Sequence, residues 1–233
     1  MSKTRLAQSI KALDLPAVKG LLEADPRLRE VRDERGRNAL HLLCAQPSTG
    51  KTVSRSLKLA EYLLDAGFDV NHPAFVEGTA FKATPLWFSL SRGRNIALAR
   101  LLLKRGSSPE YCLWTAAFSD DPEAIDLLVK SGASIDPVTE DETPFLGAIK
   151  WSRFTAAERL LHHGANVNFQ DSKGTTALHL VLKKNSDRKH VLMLVRHGAD
   201  PTIRDKRGVS PLDMVAKRRD KTYFELFSEH RSA

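Results

Sequence analysis

The chain has 233 residues, of which 42% are apolar and 27% charged, and it carries a formal net charge of +8. That balance fits a soluble protein with a real core, and apolar runs as short as Leu101-Leu102-Leu103 predict no transmembrane segment. Leu6, Ala7 and Ile10 are interrupted by Gln8 and Lys11, so no cleavable signal peptide is expected, and Cys44 and Cys112 lack metal-ligand spacing.

Residues 3–33 carry apolar side chains at helical spacing twice, first Leu6, Ile10 and Leu13, then Val18, Leu21 and Leu22. Asn38-Ala39-Leu40-His41 opens a second unit, which Leu63-Leu64-Asp65-Ala66-Gly67 closes. A turn-rich insertion is predicted within it at 47–56. A long finger follows at 68–83, whose Phe75 and Phe81 are expected to form a small satellite core. Thr84-Pro85-Leu86-Trp87 opens the next unit and Leu102-Leu103-Lys104-Arg105-Gly106 closes it. Only 27 residues then separate Thr84 from Tyr111, so the finger around Ser107-Ser108-Pro109 is abbreviated. Further openings stand at Tyr111, Thr143, Thr176 and Ser210, and further closings at Gly132, Gly164 and Gly198.

The clearest pair sets the period. Thr143 and Thr176 are 33 residues apart, and Gly164 and Gly198 are 34 apart. A fixed period of this length marks a stack of helical hairpins, none of which can bury its apolar face alone. Thr or Ser caps the first helix, Pro follows where its missing N–H does no harm, and Gly ends the second helix in the left-handed region. The expected fold class is all-α, a solenoid of stacked helix-turn-helix units with short hairpin fingers. It is expected to form a single domain over 1–233, in units of about 3–33, 34–72, 73–106, 107–137, 138–170, 171–204 and 205–233, the first and last acting as caps.

Gly174-Thr175-Thr176-Ala177-Leu178-His179-Leu180 and Gly164-Ala165-Asn166-Val167-Asn168 closely resemble the repeat unit of the ankyrin-repeat family. The resemblance extends over nearly the whole chain. It implies a protein-binding scaffold whose contacts come from finger tips and from exposed positions after each first helix. Carried onto this chain, it nominates Arg35, Arg37, Phe81, Glu140, Glu142, Lys206 and Arg207 from the fingers. From the first helices it nominates Arg92, Phe118, Trp151, Lys183, Lys184, Lys217 and Arg218. Phe118 and Trp151 occupy slots expected to be exposed. His41 and His179 occupy the family's histidine position, where the ring is expected to brace loops by hydrogen bonds.

Charge adds direction to that surface. Residues 110–142 hold nine acidic side chains against Lys130 alone, whereas from residue 144 onward there are seventeen Lys/Arg against nine Asp/Glu. An acidic middle and a basic C-terminal end would orient a partner and steer its approach. The expected partner is another protein with an acidic segment, held on a concave finger and inner-helix surface. The alternative is electrostatic binding of nucleic acid or anionic lipid through the basic repeats, which the acidic block disfavours for a long phosphate backbone.

No chemistry competes with this reading. Among the eight histidines, His163 and His197 occupy equivalent positions in neighbouring repeats, which the resemblance implies are too far apart to converge on one ion as zinc ligands must, so no metal is expected. Gly50-Lys51-Thr52 resembles the end of a phosphate-binding loop, but Ala45 and Gln46 stand where the earlier Gly belongs. No cofactor, no nucleophile motif and no catalytic residue are expected. The chain is anticipated to be a cytoplasmic, monomeric binding module rather than an enzyme.

Overall fold

The helix-forming signals act locally, and in the computed structural model they produce thirteen α-helices among the described residues, 2–47 and 49–218 with Tyr223 and Phe227. The chain divides into two compact units, residues 1–115 and 116–233.

In the first unit the helices are α1 (Ser2–Lys11), α2 (Leu15–Ala24), α3 (Ala39–Cys44), α4 (Lys51–Asp65), α5 (Pro85–Ser91) and α6 (Ile96–Lys104), with a 3-10 turn at Pro26–Glu30. The first helices α1, α3 and α5 pack successively on one another, and the second helices α2, α4 and α6 do likewise. Between these two rows lie fully buried leucines, among them Leu40, Leu43, Leu59, Leu63, Leu86, Leu98 and Leu102. Each removes its apolar surface from water only because the next hairpin covers it. A two-stranded antiparallel hairpin, β1 (Ala74–Phe75) with β2 (Lys82–Ala83), pairs Ala74 with Ala83 and Phe75 with Lys82.

Helix α7 (Cys112–Phe118) contains the boundary between the units. The second unit continues with α8 (Pro122–Lys130), α9 (Pro144–Lys150), α10 (Phe154–His162), α11 (Ala177–Lys183), α12 (Arg188–Arg196) and α13 (Pro211–Arg218). Helix α9 packs on α10 and α11, α8 packs on α10, and α11 packs on α12 and α13. Ile125, Leu128, Phe145, Ile149, Leu160, Leu178, Val181, Leu194 and Val215 are buried between them.

The capping chemistry is as the residue types require. Thr143 Oγ1 accepts from Leu146 N at 3.2 Å, and Pro144 fills the first helical position of α9. Asn38 and His41 cap α3 reciprocally, and Thr176 and His179 cap α11 in the same way. His179 also spans two repeats, its Nε2 lying 3.0 Å from Val209 O. Gly164 and Gly198 close α10 and α12 at φ 85° and 82°, a region in which a Cβ is strained.

Two expectations are corrected. The insertion predicted as turn-rich over 47–56 is helical from Lys51, so its second half lengthens α4 to fifteen residues. The added turn is used: Arg55 Nη2 donates to Ala12 O at 2.7 Å, and buried Ser56 Oγ accepts from Asn95 Nδ2 at 3.1 Å. Phe75 and Phe81 do not form a buried satellite core, being 42% and 39% exposed. Their rings have separate partners, since Lys82 Nζ lies 4.7 Å from the Phe75 centroid and Trp87 meets Phe81 edge to face at 5.8 Å.

Candidate functional site

In the second unit two loops between helices are held side by side by one carboxylate. The loop after α7 turns through Asp120, whose φ is 54°, and Asp121 then caps α8 by accepting from Ala124 N at 3.0 Å. The loop after α9 turns through Ser152, at φ 57°, into Arg153, which offers α10 no side-chain cap. Asp120 supplies one from the preceding repeat, its Oδ1 accepting from Ala156 N at 2.7 Å. A charge-assisted bond at the start of a helix satisfies an orphan donor and favours the negative group.

That bond brings together the residues on either side of it. The rings of Phe118 and Trp151 meet edge to face, centroids 5.6 Å apart at 76°. Phe118 is 52% exposed and Trp151 56% exposed. The Arg153 guanidinium carbon lies 5.6 Å from the Phe118 centroid, a cation–π contact. The result is an apolar step about two rings wide, bordered by a cation.

A third loop is tied to the second. Lys184 Nζ donates to Lys150 O, and lies 3.4 Å from Ile149 O and 3.2 Å from Ser152 Oγ, so its ammonium sits on the carbonyl end of α9. A cation there complements the helix dipole. Lys184, expected from sequence as a partner contact, therefore already serves the stack beside Trp151. Lys183, Lys206 and Lys217 are exposed. Arg207 is exposed and forks onto the buried Asp205 carboxylate, its Nη2 and Nε 2.7 and 3.0 Å from Oδ2. That pairing holds Asp205 below the usual carboxylate range. Glu140 is exposed at φ 49°, while Glu142 pairs with Lys150. The side chain of Arg218 lies outside the described residues.

The first-unit candidates gather around a residue that sequence reasoning did not single out. Glu77, in the turn of the long hairpin, has Oε1 2.7 Å from Arg35 Nη2 and Oε2 3.8 Å from Arg92 Nη1. Arg37 pairs with Asp33 at 2.7 Å, and Phe81 rests on Trp87. The structure thus joins Arg35 to Arg92, and Phe118 to Trp151. Arg153, Asp120 and Glu77 were not recognisable from sequence as members of these groups, because only the stacking of repeats makes them neighbours.

Both cysteines are free and buried, which disfavours the thiolate. Burial pushes the Cys112 thiol up to about 12 and raises Cys44 further. Among the described residues no three His, Cys, Asp or Glu side chains converge as a metal site, and no helix is long and apolar enough to cross a membrane.

Comparison with known proteins agrees with the fold. Residues 113–205 match the family model "Ankyrin repeats (3 copies)". Ankyrin repeat and SOCS box protein 11 of Mus musculus is 26% identical over 119 residues, which are 48% of this chain and 37% of that protein. The chain therefore spans well under half the length of that relative. The crystal structure of the human ASB11 ankyrin repeat domain superposes with a TM-score of 0.71 at 24% identity, covering 90% of each chain. The ankyrin repeat domain of Bcl-3, a member of the IkappaB protein family, superposes with a TM-score of 0.76 at 23% identity, covering 97% of each. Residues 113–205, with their capped hairpins and left-handed glycine closures, match ankyrin repeats, and the chain has the ankyrin-repeat fold.

Proposed function

We propose that this chain is a non-catalytic interaction module that binds an acidic segment of another protein. Ankyrin repeats are generally protein–protein interaction modules. The finer reading rests on one observation: two large aromatic side chains from adjacent repeats lie together, each more than half exposed, beside Arg153. Aromatic and arginine side chains carry a disproportionate share of interface energy. A side chain of the partner would seat on the Phe118–Trp151 step, and its acidic residues would lie toward Lys183, Lys206 and Lys217. The acidic run at 110–142 would repel the wrong end of such a segment and so orient it. The fixed loops lose little conformational freedom on binding, which favours affinity from a small surface.

Two features weigh against the alternative of nucleic acid or an anionic membrane surface. Of the basic candidates, Arg207 is paired with the Asp205 carboxylate and the Lys184 ammonium is hydrogen-bonded to the α9 carbonyls. The phosphate contacts left to them are fewer than the sequence count suggests. The two buried thiols support a reducing compartment.

The experiment is selection of twelve-residue peptides on the folded protein, followed by calorimetry of the enriched ones. The reading requires acidic peptides with a large apolar residue, weakened at least tenfold by Phe118→Ala with Trp151→Ala. Enrichment of sequences that bind the double variant equally well would overturn it. Binding by nucleic acid or vesicles that falls steeply between about 50 and 200 mM salt, with the double variant unaffected, would replace it with the alternative.

A further inference from the structure

The long finger ends in an arrangement that the aromatic step of the other unit neither uses nor explains. Residues 76–81 form its turn, closed by Val76 N donating to Phe81 O at 2.9 Å and Thr79 N to Val76 O at 3.1 Å. Gly78, at φ 76°, lets the chain reverse. The hairpin is docked on the preceding finger through its backbone, Phe75 N donating to Arg35 O at 2.8 Å. Glu77 is thereby set between two guanidiniums from different elements, Arg35 in the 33–37 finger and Arg92 at the C-terminus of α5.

We propose that Arg35 and Arg92 form a carboxylate clamp for an acidic peptide segment, and that Glu77 is the stand-in ligand that a partner's Glu or Asp displaces. Three observations carry this. Arg35 hydrogen-bonds one oxygen of the carboxylate and the Arg92 guanidinium lies 3.8 Å from the other, so two cations converge on one carboxylate. All three side chains are open to solvent, Arg35 at 36%, Arg92 at 40% and Glu77 at 57% of their area, so a competing carboxylate has access. Exposed ion pairs contribute little net stability, so exchanging one carboxylate for another costs the fold little. The field at the clamp is positive enough to matter. Arg35 first, then Arg92 and Arg37, hold the Glu77 carboxyl below its usual range.

The same hairpin suggests what else the segment carries. Phe75 and Phe81 are both exposed by about two-fifths, and Phe81 is steadied by Trp87. An apolar residue near the partner's acidic one would find surface there. This clamp lies wholly within the first unit and does not rest on the Phe118–Trp151 reading.

The test uses the full chain and an N-acetylated Glu-Leu-Glu-Glu-Leu-Glu peptide, with its all-Gln counterpart as control, followed at the Nε–Hε resonances of Arg35 and Arg92. Glu77→Gln should bind the Glu peptide about two- to fivefold more tightly than the parent chain. The Gln peptide should leave both resonances in place. Adding Arg92→Gln to Glu77→Gln should abolish the gain. Thermal melts and the backbone resonances of 74–83 confirm that the hairpin persists, and Glu77→Ser serves as a second variant. Equal binding by the parent and both Glu77 variants would overturn the proposal, as would a gain that survives loss of Arg92. A response to inorganic phosphate without one to the Glu peptide would overturn the assignment to carboxylate.

Discussion

The rings of Phe118 and Trp151 lie edge to face at 5.6 Å, yet neither is buried. Packed pairs of this kind ordinarily bring stability because they leave water together. Here each gives up less than half of its surface, and the loops beneath them are fixed by Asp120 on Ala156 N rather than by the rings. Geometry is thus supplied by polar bonds and contact area is left free.

Trp151→Ala should accordingly leave thermal stability within about 1 kcal/mol of the parent. Affinity for a selected peptide should fall about tenfold or more. Leu160→Ala or Leu178→Ala, at positions 0% and 1% exposed, should instead cost roughly 2–5 kcal/mol. Urea titrations of the three variants check the contrast.

Gly93 sits where the ends of two first helices approach, and a Cβ there would lie 2.2 Å from Cys44 O and 3.1 Å from Ser89 O. Both atoms are backbone, so nothing can rotate away. Gly93→Ala should destabilise the chain by about 1–3 kcal/mol, as overpacking does, and denaturant unfolding measures it directly.

His41 gives the fold a pH dependence of known sign. Burial, reinforced by the neighbouring His72, lowers it from 6.5 to about 4. Between those values the unfolded chain binds the proton and the folded chain does not, so stability is complete above about pH 6.5 and is lost as pH falls toward 4. The loss is on the order of 2–4 kcal/mol. In His41→Gln, which starts lower because its cap is gone, that part of the slope should vanish.

Lys184→Ala separates a structural role from a binding one. Removing the ammonium from the α9 carbonyls should cost roughly 0.5–1.5 kcal/mol of stability. Lys183→Ala, an exposed neighbour, should change stability by less than about 0.5 kcal/mol. Equal melting temperatures for the two would show that the Lys184 contacts carry no stability.

What was legible in the sequence was local. Thr143-Pro144 and Thr176 announce helix starts, and Gly164 and Gly198 announce helix ends, because caps and left-handed closures are made by adjacent residues. The histidines at 41 and 179 were legible through the family resemblance; each bonds the capping residue three positions earlier, and His179 also reaches Val209 O. Residues 51–56 misled because the turn formers Pro47, Ser48, Thr49 and Gly50 stand immediately before them, whereas Arg55 and Ser56 find partners 43 and 39 residues away that hold them helical. The candidate sites were half legible. Phe118 and Trp151 stand in slots read as exposed, and both are, but Glu77 meets Arg35 across 42 residues of sequence, and nothing near either one announces the pairing.

The most direct measurement follows the indole N–H resonances of the three tryptophans, Trp87, Trp114 and Trp151, as a selected acidic peptide is added. Seating on the aromatic step requires the Trp151 resonance to move furthest and to saturate with the calorimetric affinity. A peptide that binds tightly and leaves Trp151 unmoved would contradict the account.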